Sequence, residues 1–280
     1  MFLLLTISTV LHTIAGETIS PIARDSNINA ADPTISSIPD VEITDFPYAV
    51  ILESNKQVFC AGAILTNQYV ITSDVCANRA KTYPNTTIRA GSSFVGLGGT
   101  EHTIAEIIIH DDYEKFYPHR SIGLLRVEKT FHWGDNTKRP VSLTYVDELV
   151  RNLSLHKVPG WGEVGNSWVS MNRLHTVDVQ IYWYGNECEI SGYKICARTI
   201  DQSMCHGDNG DPLVIDGSLA GVLSISEQPC DGESSKIAFV NLARYNNWIK
   251  SHVKSSSSKN GIAITVLLTS ILFSCSKLFY

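Results

Sequence analysis

Between residues 48 and 242 the chain is a succession of short apolar or alternating runs, each closed by turn-forming residues. The runs fall at 48–53, 86–90, 103–110, 123–128, 174–183, 219–226 and 237–242, and Pro, Gly, Asn or Asp separate them at 84–85, 96–99, 134–135 and 207–211. Strands this short at this spacing predict an antiparallel sandwich or barrel. One helical pattern closes the body, with Leu242, Tyr245, Trp248, Ile249 and Val253 on one face. No internal repeat breaks the series. At 44% hydrophobic residues the body can bury a full core, and a net charge of −6 leaves no basic footprint for nucleic acid. No metal-ligand spacing stands out, the nine His are scattered, and no cofactor is implied. The pair Asp111-Asp112 reads as a solvated loop.

Chemistry is written in six short motifs. Residues 205–213 read Cys-His-Gly-Asp-Asn-Gly-Asp-Pro-Leu. Upstream stand Phe59-Cys60-Ala61-Gly62-Ala63-Ile64-Leu65 and Tyr69-Val70-Ile71-Thr72-Ser73-Asp74-Val75-Cys76. Ser121-Ile122-Gly123-Leu124-Leu125-Arg126-Val127 and Val158-Pro159-Gly160-Trp161-Gly162 follow, and Tyr245-Asn246-Asn247-Trp248-Ile249 ends the series. In order and spacing this resembles the trypsin-like serine proteases from about residue 46 to residue 253. The resemblance implies an all-β fold of two antiparallel six-stranded β-barrels with a C-terminal helix.

The same resemblance places the catalytic triad at Val75, Ser121 and Asn209, and each role fails for its own reason. Valine has no titratable nitrogen, serine carries no charge to orient an imidazolium, and an amide does not attack carbonyls. The chain is therefore expected not to be an enzyme. The alternative is an unorthodox secreted hydrolase using His206 or Asp74, which otherwise read as polar loop residues. The specificity position is Ser203, so no carboxylate awaits a Lys or Arg side chain. The substrate-pairing strand would be 224–226, without the family's Trp and Gly. Asp211 replaces a glycine beside the catalytic turn, which puts an oxyanion hole built from the amides of Gly207 and Asn209 in doubt. Activation also fails: the segment 34–38 offers no basic cleavage site, and Asp208 is left needing another partner.

Residues 1–16 read as a signal peptide, although they lack a basic start. Residues 17–45 form an N-terminal segment that wraps the body or stays mobile, 46–253 the protease-like domain, and 254–280 a Ser-rich linker with an apolar tail. The tail is read as a GPI-attachment signal, with an uncleaved membrane helix or a secreted apolar tail as alternatives. Spacing alone leaves fifteen pairings for the six body cysteines. The resemblance pairs Cys60–Cys76, Cys188–Cys196 and Cys205–Cys230 and leaves Cys275 in the tail. Bridges imply an oxidising compartment. Asn85 and Asn152 open glycosylation sequons. The expected role is that of a secreted or surface-tethered homologue that binds an extracellular protein as cofactor, decoy or signalling component, for example in immune or reproductive fluid.

Overall fold

The structure is a computed structural model; it describes residues 41–110, 121–144, 155–162, 172–182, 193–200, 209–225 and 236–253. Six strands, β1 (Ala49–Ser54), β2 (Gln57–Ile64), β3 (Tyr69–Ser73), β4 (Thr86–Ala90), β5 (Thr100–Ile109) and β6 (Ile122–Val127), close into a barrel in the order β1-β2-β3-β6-β5-β4. The second half contains β7 (Ser142–Leu143), β8 (Leu155–Gly160), β9 (His175–Ile181), β10 (Lys194–Thr199), β11 (Pro212–Ile215), β12 (Ser218–Ile225) and β13 (Lys236–Asn241). Its order is β11-β12-β13-β10-β9-β8, and β7 joins β12 in parallel. The expected pair of antiparallel six-stranded barrels is thus the observed fold.

Each barrel has its own core, from Val50, Leu52, Ile88, Leu125 and Phe131 in the first and from Val179, Ile195, Leu213 and Phe239 in the second. Both faces of β1 are buried, which is why it reads as a continuous apolar run. Two further clusters join the barrels. Ile71, Ile122 and Leu124 meet Val222, Val240 and Leu242 in one. In the other, Trp161 packs with Ile43, Ile51 and Leu174, and its indole N–H donates to the Ser93 carbonyl at 3.3 Å. A buried Trp needs such a partner for its N–H.

Two helices occur among the described residues. The closing one begins as a 3₁₀ turn over Leu242–Tyr245 and continues as α2 (Asn246–His252). Its face is the one expected: Leu242, Tyr245 and Ile249 are buried and Trp248 and Val253 pack against them. The other, α1 (Asp74–Thr82), is a helix the sequence pattern did not suggest. Ser73 caps it by accepting the Cys76 N–H at 3.3 Å, and Asp74 lies in the first turn, where a negative charge suits the helix dipole. Tyr83 is extended at its end, as the residue before Pro84 must be.

The N-terminal segment is anchored earlier than residue 46. The Ile43 N–H donates to Ser93 Oγ at 3.0 Å and the Ile43 side chain is buried, so Val41–Ile43 belongs to the body.

Candidate functional site

The three positions that the resemblance assigns to the triad come from three different elements. Val75 sits in the first turn of α1, Ser121 just before β6, and Asn209 in the turn before β11. Main-chain bonds bring them to one corner. The Asp74 N–H donates to the Ser121 carbonyl at 3.1 Å, and the Ala61 N–H donates to the Asn209 carbonyl at 2.9 Å. That same Asn209 oxygen lies 3.2 Å from Cys76 Sγ. Cys76 is bridged to Cys60 with the Cα atoms 5.8 Å apart, so the β2 strand, the helix start and the Asn209 turn share one fixing point.

The turn itself demands glycine. Gly210 has φ +89°, and a Cβ there would strike the Ala61 carbonyl oxygen and Thr72 Oγ1. Thr72 Oγ1 donates to that Ala61 oxygen at 2.6 Å, and the Gly210 N–H donates to the Leu223 carbonyl at 2.7 Å. The Asn209–Gly210 turn is therefore clamped against β2 and β3 of the first barrel and β12 of the second.

The side chains at these three positions are not the histidine, aspartate and serine that a triad would hold in those roles. Val75 is half-buried and apolar. Ser121 is 1% exposed, and its Oγ has no hydrogen-bond partner among the described residues. Asn209 Oδ1 is likewise buried without a hydrogen bond among the described residues. No group of three His, Cys, Asp or Glu that could hold a metal ion occurs among the described residues.

Two carboxylates stand where this corner would ordinarily be small. Asp74 is fully buried, which corrects its reading as a polar loop residue; its Oδ1 accepts the Val75 N–H at 2.7 Å. Asp211 is also fully buried, and its carboxylate packs over the Gly160 backbone so tightly that no Cβ would fit there. No sequence signal distinguished these buried acids from solvated ones, because their burial comes from contacts between distant elements.

Other expected sites divide between the described residues and the rest. Ser224 is buried within β12. Asn85 is exposed between α1 and β4, and its Nδ2 donates to Asn55 Oδ1 at 2.8 Å. Cys196 is disulfide-bonded. Ser203, His206, Gly207, Asp208, Asn152, Cys188, Cys205, Cys230 and Cys275 lie outside the described residues, as do the signal and the tail. No helix among the described residues is long and apolar enough to cross a membrane.

Titration separates the histidines. Burial holds His175 down to about 4, against a weaker opposing contribution from its bond to the Arg173 carbonyl. Burial also lowers His102. Neither stands at one of the three positions expected to hold the triad.

A barrel pair whose β2–α1 disulfide and glycine turn meet at one corner is the architecture of a peptidase scaffold, and the comparisons agree. The trypsin family model matches residues 35–249, and the chain belongs to that family. Hypodermin-B of Hypoderma lineatum is 26% identical over 227 residues, covering 77% of this chain and 86% of its own length. Among solved structures, neuropsin of mouse brain superposes with a TM-score of 0.66 at 24% identity, covering 77% of this chain and 98% of its own. A scabies mite inactivated protease paralogue gives a TM-score of 0.64 at 24% identity, covering 76% and 95%.

Proposed function

We propose that this trypsin-family chain does not hydrolyse peptide bonds and acts outside the cell by binding a protein partner. The observation that carries the reading is the corner itself. Its backbone fixings are present, while Val75, Ser121 and Asn209 supply neither base, orienting charge nor nucleophile. Two buried acidic side chains, Asp74 and Asp211, add bulk beside the turn that would have to hold a substrate carbonyl. The scabies mite protein of the same fold is itself described as an inactivated protease paralogue.

The signal-like residues 1–16, the Cys60–Cys76 bridge and the exposed Asn85 sequon support an oxidising, extracellular setting. The apolar tail supports tethering by a GPI anchor, which phospholipase treatment of intact cells would release. A mature C-terminal peptide containing Tyr280 would exclude the anchor and leave the triad argument standing.

The test of the central reading is a serine-directed phosphonate probe with a panel of peptide substrates. Neither labelling nor turnover is expected. Labelling of the unaltered chain would overturn the reading in favour of an unorthodox hydrolase.

A further inference from the structure

The turn between α1 and β4 is fastened to the β1–β2 hairpin at three successive residues. The Tyr83 ring meets the Phe59 ring edge-on, with the centres 5.1 Å apart. The Pro84 carbonyl accepts the Ser54 hydroxyl at 2.7 Å. Asn85 Nδ2 donates to Asn55 Oδ1 at 2.8 Å. Asn85 has φ +50°, which Asn tolerates better than most side chains, and Pro followed by a positive φ is the pairing of a type II turn. The Thr86 hydroxyl closes the turn by donating to the Tyr83 carbonyl at 3.0 Å.

The support beneath is rigid as well. Glu53 of β1, fully buried, accepts from the Arg89 guanidinium of β4 at 2.9 Å and from the Gly96 N–H at 2.7 Å. Arg89 also donates to the Gly98 carbonyl at 2.8 Å. A buried ion pair thus ties the hairpin to the strand that follows Asn85 and to the loop of residues 92–99.

Two features of this turn serve no contact within the protein. Tyr83 stays 42% exposed although it packs on Phe59, so an aromatic surface is held open to water in a fixed posture. Asn85 is exposed and opens the triplet Asn85-Thr86-Thr87. Its amide carries two hydrogens, and the bond to Asn55 uses one of them. Tyr83 and Asn85 are two residues apart, which limits their Cα separation to about 7 Å. A sugar ring on the Asn85 side chain can therefore reach the tyrosine. The C–H face of a pyranose is apolar and carries slight positive charge, which suits the face of an aromatic ring. The covalent tether gives such a contact a high effective concentration, and the ordered turn lowers its entropic cost.

We infer that Asn85 carries an N-linked glycan whose first N-acetylglucosamine lies on the exposed Tyr83 ring, which makes the sugar a structural part of the α1–β4 turn. The inference rests on the extracellular role proposed above and goes past the sequon by giving the sugar its place in the fold. The donor is a lipid-linked oligosaccharide diphosphate. A bond forms between Asn85 Nδ2 and C1 of the sugar, and the bond from C1 to the diphosphate oxygen breaks. The diphosphate leaves with that electron pair, and Nδ2 loses one proton. The hydrogen that Nδ2 keeps still serves Asn55.

The test uses the full chain secreted from eukaryotic cells, with the peptide that holds Asn85 weighed by mass spectrometry. Asn85 should carry a glycan. Stability is then compared in a cycle of Tyr83→Leu and Thr87→Val, the second of which removes the sequon and leaves Asn85 with its bond to Asn55. Tyr83→Leu should raise the unfolded-to-folded ratio of the glycosylated chain about fivefold more than that of the Thr87→Val chain, as expected for groups in contact. Tyr83→Phe keeps the ring and should keep the coupling, as should trimming every glycan to its first sugar with an endoglycosidase. A second readout needs no destabilised variant. In the trimmed parent one N-acetyl methyl proton signal should lie upfield through the ring current of Tyr83, and that signal should be missing from Thr87→Val. Additive effects of Tyr83→Leu and Thr87→Val would overturn the proposal, as would N-acetyl signals that are all unshifted. Loss of the coupling on trimming would put a more distant sugar on Tyr83 and overturn it too. Secretion of the chain with Asn85 bare overturns the inference and leaves the extracellular reading standing, whereas a chain that stays in the cytosol without glycan overturns both.

Discussion

The triad corner and the loop of residues 92–99 are built by opposite means. At the corner the fixings are backbone and covalent: a disulfide, a glycine turn, and main-chain bonds from Ala61 and Gly210. The side chains there contribute little, and two of them, Ser121 and Asn209, bury oxygens without hydrogen-bond partners among the described residues. At the loop the fixing is a side-chain ion pair, Glu53 with Arg89, and the exposed side chains are the ones displayed. The comparison teaches that the geometry of a corner can be held by groups other than the side chains at its catalytic positions. On the non-catalytic reading proposed above, a changed nucleophile position costs such a corner nothing structural. Loss of the ion pair would cost the loop its shape.

That contrast is tested hardest at the two fixings. Glu53→Gln leaves the 7%-exposed Arg89 guanidinium without its buried counter-charge, and removing one partner of such a pair destabilises by roughly 3–5 kcal/mol. Gly210→Ala forces a Cβ onto the Ala61 carbonyl at a positive φ, and a loss of about 3 kcal/mol or more is expected from strain and overpacking together. Both are read by chemical denaturation. A Gly210→Ala variant as stable as the parent would mean the turn is not clamped as described.

Against those losses, restoring the triad should be structurally mild and chemically empty. Asn209→Ser is expected to shift stability by less than about 1 kcal/mol and to give no peptide hydrolysis, because Val75 has no nitrogen to take the proton. Val75→His, Ser121→Asp and Asn209→Ser together should remain feeble, with Asp74 and Asp211 still buried beside the site. Turnover by Asn209→Ser alone would show that the base lies somewhere other than position 75.

Much of this architecture was legible in the sequence, for a physical reason. Strands buried on one or both faces leave local patterns, so the runs at 86–90, 123–128 and 237–242 lie within a residue or two of β4, β6 and β13. The Cys60–Cys76 bridge was legible through resemblance, because motif order survives drift elsewhere. What escaped was set by long-range contact. Asp74 and Asp211 look like loop acids until distant strands cover them. The Glu53–Arg89 pair joins residues 36 positions apart, and it fixes a loop of which the sequence pattern marks only the 96–99 turn. Helix α1 hid because Ser73, the last residue of β3, is also its cap.

A subtler contrast lies between buried groups that titrate and those that do not. His175 is 2% exposed and neutral, with its pKa held near 4 in the fold against an ordinary value of 6.5. Because the folded value is depressed, the unfolded chain binds a proton that the native one refuses as pH falls. Stability is therefore full above about pH 6.5 and declines toward pH 4, by on the order of 3 kcal/mol for the whole window. His175→Gln should unfold more easily than the parent at pH 7.5, yet lose less between pH 7 and pH 4.5. Parallel melting curves for the two proteins across that range would show that burial of His175 is not what couples folding to pH.

The smallest effect is expected where the corner is most obviously degenerate. Ser121 Oγ is buried without a hydrogen bond among the described residues, so the hydroxyl carries a desolvation cost with no return. Ser121→Ala removes that oxygen and leaves the Ser121 carbonyl free to keep accepting the Asp74 N–H. An unsatisfied buried polar group costs about 1–3 kcal/mol, but a hydroxyl is small, and the vacated space offsets part of the gain. The net change should be neutral to stabilising by up to about 1 kcal/mol. Denaturation midpoints with unchanged slopes would measure it cleanly. A clear loss of stability in Ser121→Ala would mean that the oxygen holds a partner after all, and that the corner retains one polar contact inherited from the position's charged role.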